Sequence, residues 1–360
     1  MTPTLAAYLH NINPFALHFP NWGFLPEGIR WYGLSYLLGF LMAYAIIRRV
    51  TRVGISTVKP AEVGDMIVTM AIGVVIGGRL GYVLGYDPSL LGWIDRAPYW
   101  GVLAINHGGM ASHGGMLGAI LAAGWYARRG ARPDLAHPRA QPVRHSWAHL
   151  LDLAAFATPL GLFFGRIANF INGELYGRPC PMNFPLAVQF PQELYTWDPA
   201  KLLPLAEKVG YHYALDSQGG AAAFVAYLIA QVRAGNPQVR AALAAALPTR
   251  YPSQLFEAVL EGLMLFGVML LVWRKPRKPL VLAGWFCLAY GVLRIVGEFF
   301  RTPDAQIADQ EFALLHITRG QWLSALLSLA GAAMIALACR RHTAPMGGWR
   351  RHAEPARAGR

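Results

Sequence analysis

Leu153 to Arg178 reads LAAFATPLGLFFGRIANFINGELYGR. As far as Phe164 it is apolar enough for the interior of a bilayer. From Gly165 on it supplies two asparagines, a glutamate, two arginines and three glycines. A helix continued past Phe164 places Arg166, Asn169, Phe170 and Gly173 at i, i+3, i+4 and i+7, on one face. A guanidinium and an amide then point the same way at membrane depth, which a helix that only spans has no use for.

The composition around this stretch agrees with a membrane setting. Hydrophobic residues make up 55% and charged residues only 14%, against roughly 25% charged in soluble domains. Seven apolar segments read as spans, the third of them short against the roughly 17 to 25 residues a bilayer takes: Trp31 to Ile47, Met66 to Gly85, His113 to Ala127, Trp147 to Phe170, Leu255 to Trp273, Leu280 to Phe300 and Trp322 to Cys339. The expected fold is an all-α integral membrane protein of seven transmembrane helices with a small extracytoplasmic cap. Residues 1–339 form one catalytic domain in this reading, residues 172–252 are the cap, and residues 340–360 are a basic cytoplasmic tail without fixed structure.

The net charge of +13 follows from topology. With loops alternating sides, Arg48, Arg49, Arg52 and Lys59 share a side with Arg128, Arg129, Arg132, Arg139 and Arg144. Arg274, Lys275, Arg277, Lys278 and the tail arginines fall on that side too. The positive-inside rule then puts the amino terminus outside and the carboxyl terminus in the cytoplasm. No nucleic-acid partner is needed to explain the charge. The amino terminus has no basic region before its first apolar run, so no cleavable signal peptide is expected. Cys180, Cys287 and Cys339 show no metal-binding spacing.

Taken in order, residues Met1 to Arg30 read as an outer segment lying along the membrane surface. Trp31 and Tyr32 fit an interfacial aromatic belt. In the second span Gly73, Gly77, Gly81 and Gly85 recur every fourth residue and make one face smooth enough for another helix to approach. Arg79 lies among them and must face protein or a polar cavity. Asn106 to Gly115 is a glycine-rich re-entry, tolerated at depth only where it lines a cavity or is buried. His113 ends it, as a base or as a tie for the loop. In the cap, Gln218-Gly219-Gly220 reads as a turn, Ala221 to Arg233 and Val239 to Ala246 as helices.

The fifth span carries Glu257 and Glu261 one turn apart. In the sixth, Tyr290, Arg294, Glu298 and Arg301 form a polar stripe at i, i+4, i+8 and i+11. An arginine at mid-span costs about 2.5 to 3.5 kcal/mol, so Arg79, Arg166 and Arg294 require compensation. One reading is a structural ion-pair network with Glu257, Glu261 and Glu298. The other is an anion site, since a guanidinium fork suits phosphate oxygens, and a phosphate at membrane depth is a lipid headgroup.

Gly165 to Glu174 followed by Gly177 resembles the signature of bacterial phosphatidylglycerol:prolipoprotein diacylglyceryl transferases. Trp31-Tyr32-Gly33, Gly77 to Tyr82, His113-Gly114-Gly115, Pro252 to Leu255 with Glu257, and Tyr290 through Arg301 resemble further blocks of that family in the same order. Ala111-Ser112 departs from the family's usual Ser-Phe before the His-Gly-Gly, and residues 203–247 have no clear counterpart. The resemblance implies transfer of a diacylglyceryl group from phosphatidylglycerol to the lipobox cysteine of a prolipoprotein, forming a thioether and releasing glycerol 1-phosphate at the bacterial inner membrane. It implies catalytic roles for His113, Arg166 and Arg294, substrate contacts from Tyr32, Arg79, Asn169, Glu174, Gly177, Tyr290 and Glu298, and no cofactor or metal. The rival from another class is a lipid or anion transporter, whose repeated halves this sequence lacks.

Overall fold

A computed structural model describes residues 7–19, 28–95, 98–105, 108–129, 145–211, 218–302 and 318–349. Asn106 and His107, the basic stretch 130–144 and the tail residues 350–360 lie outside them. The described chain is mostly helical, and the protein is an all-α integral membrane protein. Among the described residues six helices are long and apolar enough to cross a membrane: α1 (Trp31–Val53), α2 (Val63–Gly85), α4 (Trp147–Asn172), the continuous stretch Ser253–Trp273, α10 (Val281–Glu298) and most of α11 (Arg319–Arg340). The remaining expected span is α3 (Ser112–Arg129), 18 residues long and so about 27 Å. Its polar opening and its closing Arg128-Arg129 make it the least apolar of the set.

The chain forms two compact units. The first comprises residues 1–39, 159–265 and 289–328; the second comprises residues 40–158, 266–288 and 329–360.

In the first unit the N-terminal arm is built into the protein by strand pairing. β1 (Tyr8–Leu9) runs parallel to β4 (Val188–Gln189), and β2 (Phe15–His18) is antiparallel to β3 (Gly28–Arg30). The cap holds three helices. Asp198 caps α5 (Pro199–Val209) by accepting from the Ala200 amide at 2.8 Å, and Gly210 ends it at φ +68°. α6 is Gln218–Arg233, so Gly219-Gly220 opens a helix where the sequence suggests a turn. Asn236 caps α7 (Pro237–Ala246). Leu202, Phe224, Leu228 and Leu243 close the cap's core, and Leu9 of the arm joins it. α5 is absent from the sequence reading, although Asp198-Pro199 at its start and Gly210 at its end are its ordinary signals.

Within Ser253–Trp273, α8 (Ser253–Glu257) passes through a π-helical stretch, Ala258–Met264, into α9 (Leu265–Trp273). Gly262 lets this stretch meet α4: a Cβ there would stand 2.6 Å from Phe163 Cβ.

In the second unit the glycine ladder does what its spacing suggests. Gly73, Gly77 and Gly81 of α2 lie against Gly114 and Gly118 of α3, so a Cβ on Gly81 would be 2.8 Å from Gly114 Cα. Gly85 has open space around it, so the ladder ends at Gly81. Buried Asp152 accepts from the amides of Leu280 at 2.9 Å and Ala283 at 2.8 Å. It thereby satisfies donors at the start of α10 that no intrahelical carbonyl can reach. The first part of the tail is ordered: the Gly347 amide donates to Ile55 O at 2.7 Å and the Met346 amide to Arg277 O at 2.7 Å. The expectation that residues 340–360 lack fixed structure fails at Met346 and Gly347, whose backbone finds partners.

Candidate active site

Three helices of the first unit, α4, the continuous Ser253–Trp273 stretch and α10, bring the polar stripe of α10 and the signature of α4 onto the same pair of carboxylates. Arg166 donates to Glu261 Oε2 from Nε at 3.2 Å and from Nη2 at 2.9 Å, and its Nη1 lies 3.0 Å from Glu257 Oε2. Arg294 Nη1 donates to Glu261 Oε1 at 2.9 Å and also to Glu257 Oε1. Its Nη2 lies 3.4 Å from Glu298 Oε2. Each of the two central glutamates therefore bridges both arginines. Thr318, just before α11, reaches Glu298 Oε1 at 3.4 Å.

The burial of this group is uneven, and the unevenness matters chemically. The side chains of Glu257 and Glu261 are 0% exposed, whereas Arg166 keeps 15% and Arg294 keeps 11%. The carboxylates hold the guanidinium groups from the buried side. The compensation that Arg166 and Arg294 require is thus supplied, and both arginine side chains keep partial exposure while the carboxylates keep none. Tyr290 and Tyr32 both lie within the electrostatic reach of Arg166, and Tyr290 also within that of Arg294.

Asn169 sits one turn beyond Arg166, buried, and its Oδ1 has no hydrogen-bond partner among the described residues. The helix ends there: the Gly173 amide donates to Phe170 O at 3.0 Å and the Glu174 amide to Asn169 O at 3.1 Å, with Gly173 at φ +70°. Leu175 follows at φ +54°, a conformation that a branched residue rarely adopts without outside support. Gln254 and Ser253 give that support. Gln254 Nε2 donates to Glu174 O at 2.6 Å and Ser253 Oγ to Leu175 O at 3.1 Å.

Gly177 is packed too tightly for any side chain, since a Cβ would meet the carbonyl oxygens of Tyr251 and Phe300. The Gly177 carbonyl accepts from Arg250 Nη1 at 3.0 Å, and Arg250 is held by Glu193 through two 2.5 Å hydrogen bonds. Arg178 Nε donates to Arg301 O at 2.9 Å. Cys180, nearby in sequence, is buried, and burial pushes its thiol up from its ordinary range, with a bond to Thr249 offsetting part of this. It is a poor nucleophile.

The second unit holds the other two named residues. His113 is the second residue of α3 and is exposed, next to the Gly114 that packs on α2. Arg79 is buried, at 3% exposure, and its donors go to backbone carbonyls: Nε to Val102 at 2.9 Å, Nη1 to Gly108 at 2.6 Å and Gly109 at 2.9 Å, and Nη2 to Gly101 at 2.5 Å. In this structure Arg79 organises the segment leading to His113.

Glu257, Glu261 and Gln254, and Glu193 through Arg250, are contacts of the predicted site residues that the predicted site itself does not include. Two signals pointed to the first three, the one-turn spacing of the glutamates and the Pro252-Ser253-Gln254 opening of their helix; none pointed to Glu193.

An all-α, multi-pass membrane protein with paired guanidinium groups at membrane depth is the class that fold and site define. The family model for prolipoprotein diacylglyceryl transferase matches residues 22–337. The phosphatidylglycerol–prolipoprotein diacylglyceryl transferase of Bdellovibrio bacteriovorus is 42% identical over 95% of this chain and 97% of its own length. The proteins of that name from Rhodospirillum rubrum and Salmonella arizonae are 37% and 36% identical, over 88% and 90% of this chain and 90% and 96% of their own lengths. The chain belongs to the prolipoprotein diacylglyceryl transferase family.

Proposed function

We propose that this protein transfers the diacylglyceryl group of phosphatidylglycerol to a prolipoprotein, the first step of lipoprotein maturation, and that the acceptor is the lipobox cysteine thiol. The sulfur attacks the glyceryl carbon bearing the phosphate. A C–S bond forms, the C–O bond breaks, and glycerol 1-phosphate leaves. Arg166 and Arg294 bind the phosphate and stabilise the charge that grows on the departing group, an electrostatic role suited to donors already oriented before reaction. Attack requires the thiolate, and a thiol of pKa about 8.5 is mostly protonated at neutral pH. His113 takes that proton. Tyr32, Asn169, Glu174, Gly177, Tyr290 and Glu298 shape the lipid site. Arg79 holds the carbonyls of Gly101, Val102, Gly108 and Gly109, ahead of His113.

The observation that carries this reading is the pair of arginines, Arg166 and Arg294, both bridged by the fully buried carboxylates of Glu257 and Glu261 and themselves partly exposed. The protein acts in the bacterial inner membrane, with its amino terminus extracytoplasmic and its carboxyl terminus cytoplasmic. The test is purified protein in phosphatidylglycerol nanodiscs with a lipobox peptide. Glycerol phosphate release that depends on the peptide cysteine, with a matching gain in peptide mass, is expected. Lipid movement without that chemistry would refute the reading.

A further inference from the structure

The N-terminal arm, expected to lie on the membrane surface, carries one of the most buried polar side chains described. His10 is 1% exposed. The arm is fixed on both sides of β1, where the Tyr8 amide donates to Ala187 O at 3.0 Å and the His10 amide to Gln189 O at 2.9 Å. The imidazole packs edge-on against Phe170, ring centroids 5.5 Å apart, and tilted against Phe190 at 5.4 Å. Burial, partly offset by the Phe170 backbone, pushes its pKa down to about 4. It is therefore neutral at physiological pH, with a ring nitrogen free to accept.

That nitrogen, Nδ1, lies 3.3 Å from Gln192 Nε2, which can donate only. The Gln192 amide in turn stands where a side chain on Gly173 would be: a Cβ there would be 2.6 Å from Nε2. Gly173 ends α4, and the two amides that close the helix bond back to Phe170 and Asn169. Contacts thus run from His10 to Gln192 and from Gln192 to Gly173, whose amide bonds to Phe170, while the amide of the next residue, Glu174, bonds to Asn169. His10 and Gln192 are separated by 182 residues in sequence, and neither shares a helix with Arg166.

We infer that His10 and Gln192 are positioning residues for the lipid site, clamping the outer end of α4 so that Asn169 and Glu174 stand where they meet the substrate. The inference rests on the transferase reading above. It assigns the arm a part in substrate affinity, without contact with the substrate. A purely structural part is different in kind: if His10 only fills the space between Phe170 and Phe190, any aromatic ring would serve.

The experiment uses the full-length protein in nanodiscs of graded phosphatidylglycerol content, with a lipobox peptide as acceptor. His10→Phe keeps a ring in place and removes the acceptor nitrogen. It should raise the KM for phosphatidylglycerol about tenfold, the worth of one hydrogen bond, with kcat within about twofold of wild type. Gln192→Ala should do the same, and the double variant should be no worse than either single one. His10→Asn, which returns an acceptor close to the Nδ1 position, should recover most of the affinity. A wild-type KM in His10→Phe, or in Gln192→Ala where His10→Phe does not fold, overturns the inference. So does a double variant whose effect is the product of the two. Failure of the wild-type protein to transfer would instead remove the transferase reading itself.

Discussion

Replacing Glu261 with glutamine changes few atoms and tests how the arginine pair is held. The carboxylate accepts from Arg166 through Oε2 and from Arg294 through Oε1, at 2.9 to 3.2 Å, with its side chain 0% exposed. An amide has one acceptor oxygen and one donor nitrogen. Whichever way the new amide turned, its NH2 would face a guanidinium that also only donates. Breaking a buried pair by removing one partner costs about 3 to 5 kcal/mol. Here Glu257 still faces both arginines and Glu298 still faces Arg294, so the cost should fall to about 2 to 3 kcal/mol. Expressed in the transition state, at about 1.4 kcal/mol per tenfold, this is roughly a 30- to 140-fold loss of kcat/KM.

The substitution also removes one negative charge from the site, so binding of an anionic lipid should hold or tighten while turnover falls. Transfer to a lipobox peptide and phosphatidylglycerol affinity would both be measured in nanodiscs, with thermal melting as the check on folding. A folded Glu261→Gln variant whose kcat/KM stays within about threefold of wild type would refute the reasoning, because the guanidinium groups would then not depend on this carboxylate for their orientation.

Arg79→Lys keeps the charge but cannot spread its donors over the four carbonyls of residues 101–109. It should lose at least one charge-assisted hydrogen bond, about 1.5 to 3 kcal/mol, seen as a lowered melting temperature and faster hydrogen exchange in that segment. His113→Asn should abolish transfer while leaving phosphatidylglycerol binding intact; loss of binding in the same assay would make His113 a lipid ligand rather than a base. Stability should also depend on pH through His10. Its folded pKa of about 4 lies below the ordinary 6.5, so its contribution is fully present above pH 6.5 and lost as pH falls toward 4. Between about pH 7 and pH 5 this amounts to about 2 kcal/mol, and His10→Phe should remove that share of the pH dependence in thermal unfolding.

The spans, the glycine face of α2 and the stripe of Tyr290, Arg294 and Glu298 were legible in the sequence because each is a repeat within one helix. Periodicity of about 3.6 residues says which side chains share a face whatever lies opposite. The same holds for the apolar run that ends in Arg166 and Asn169. Tertiary structure alone decided what those faces meet. The sequence offered Glu257, Glu261 and Glu298 as counter-ions without saying which arginine each meets: Glu257 and Glu261, from another helix, bridge both Arg166 and Arg294, and Glu298 of α10 joins Arg294. The partners of Arg79 are backbone carbonyls, which every residue carries and no composition reveals. The support for the end of α4 includes His10, from an arm whose short strands gave no periodic signal. The sequence determined that the charges had to be compensated, since uncompensated charge at membrane depth is costly in any fold. Which groups compensate them, and from which side, depends on how separate segments pack, and pairing between segments leaves no spacing to read.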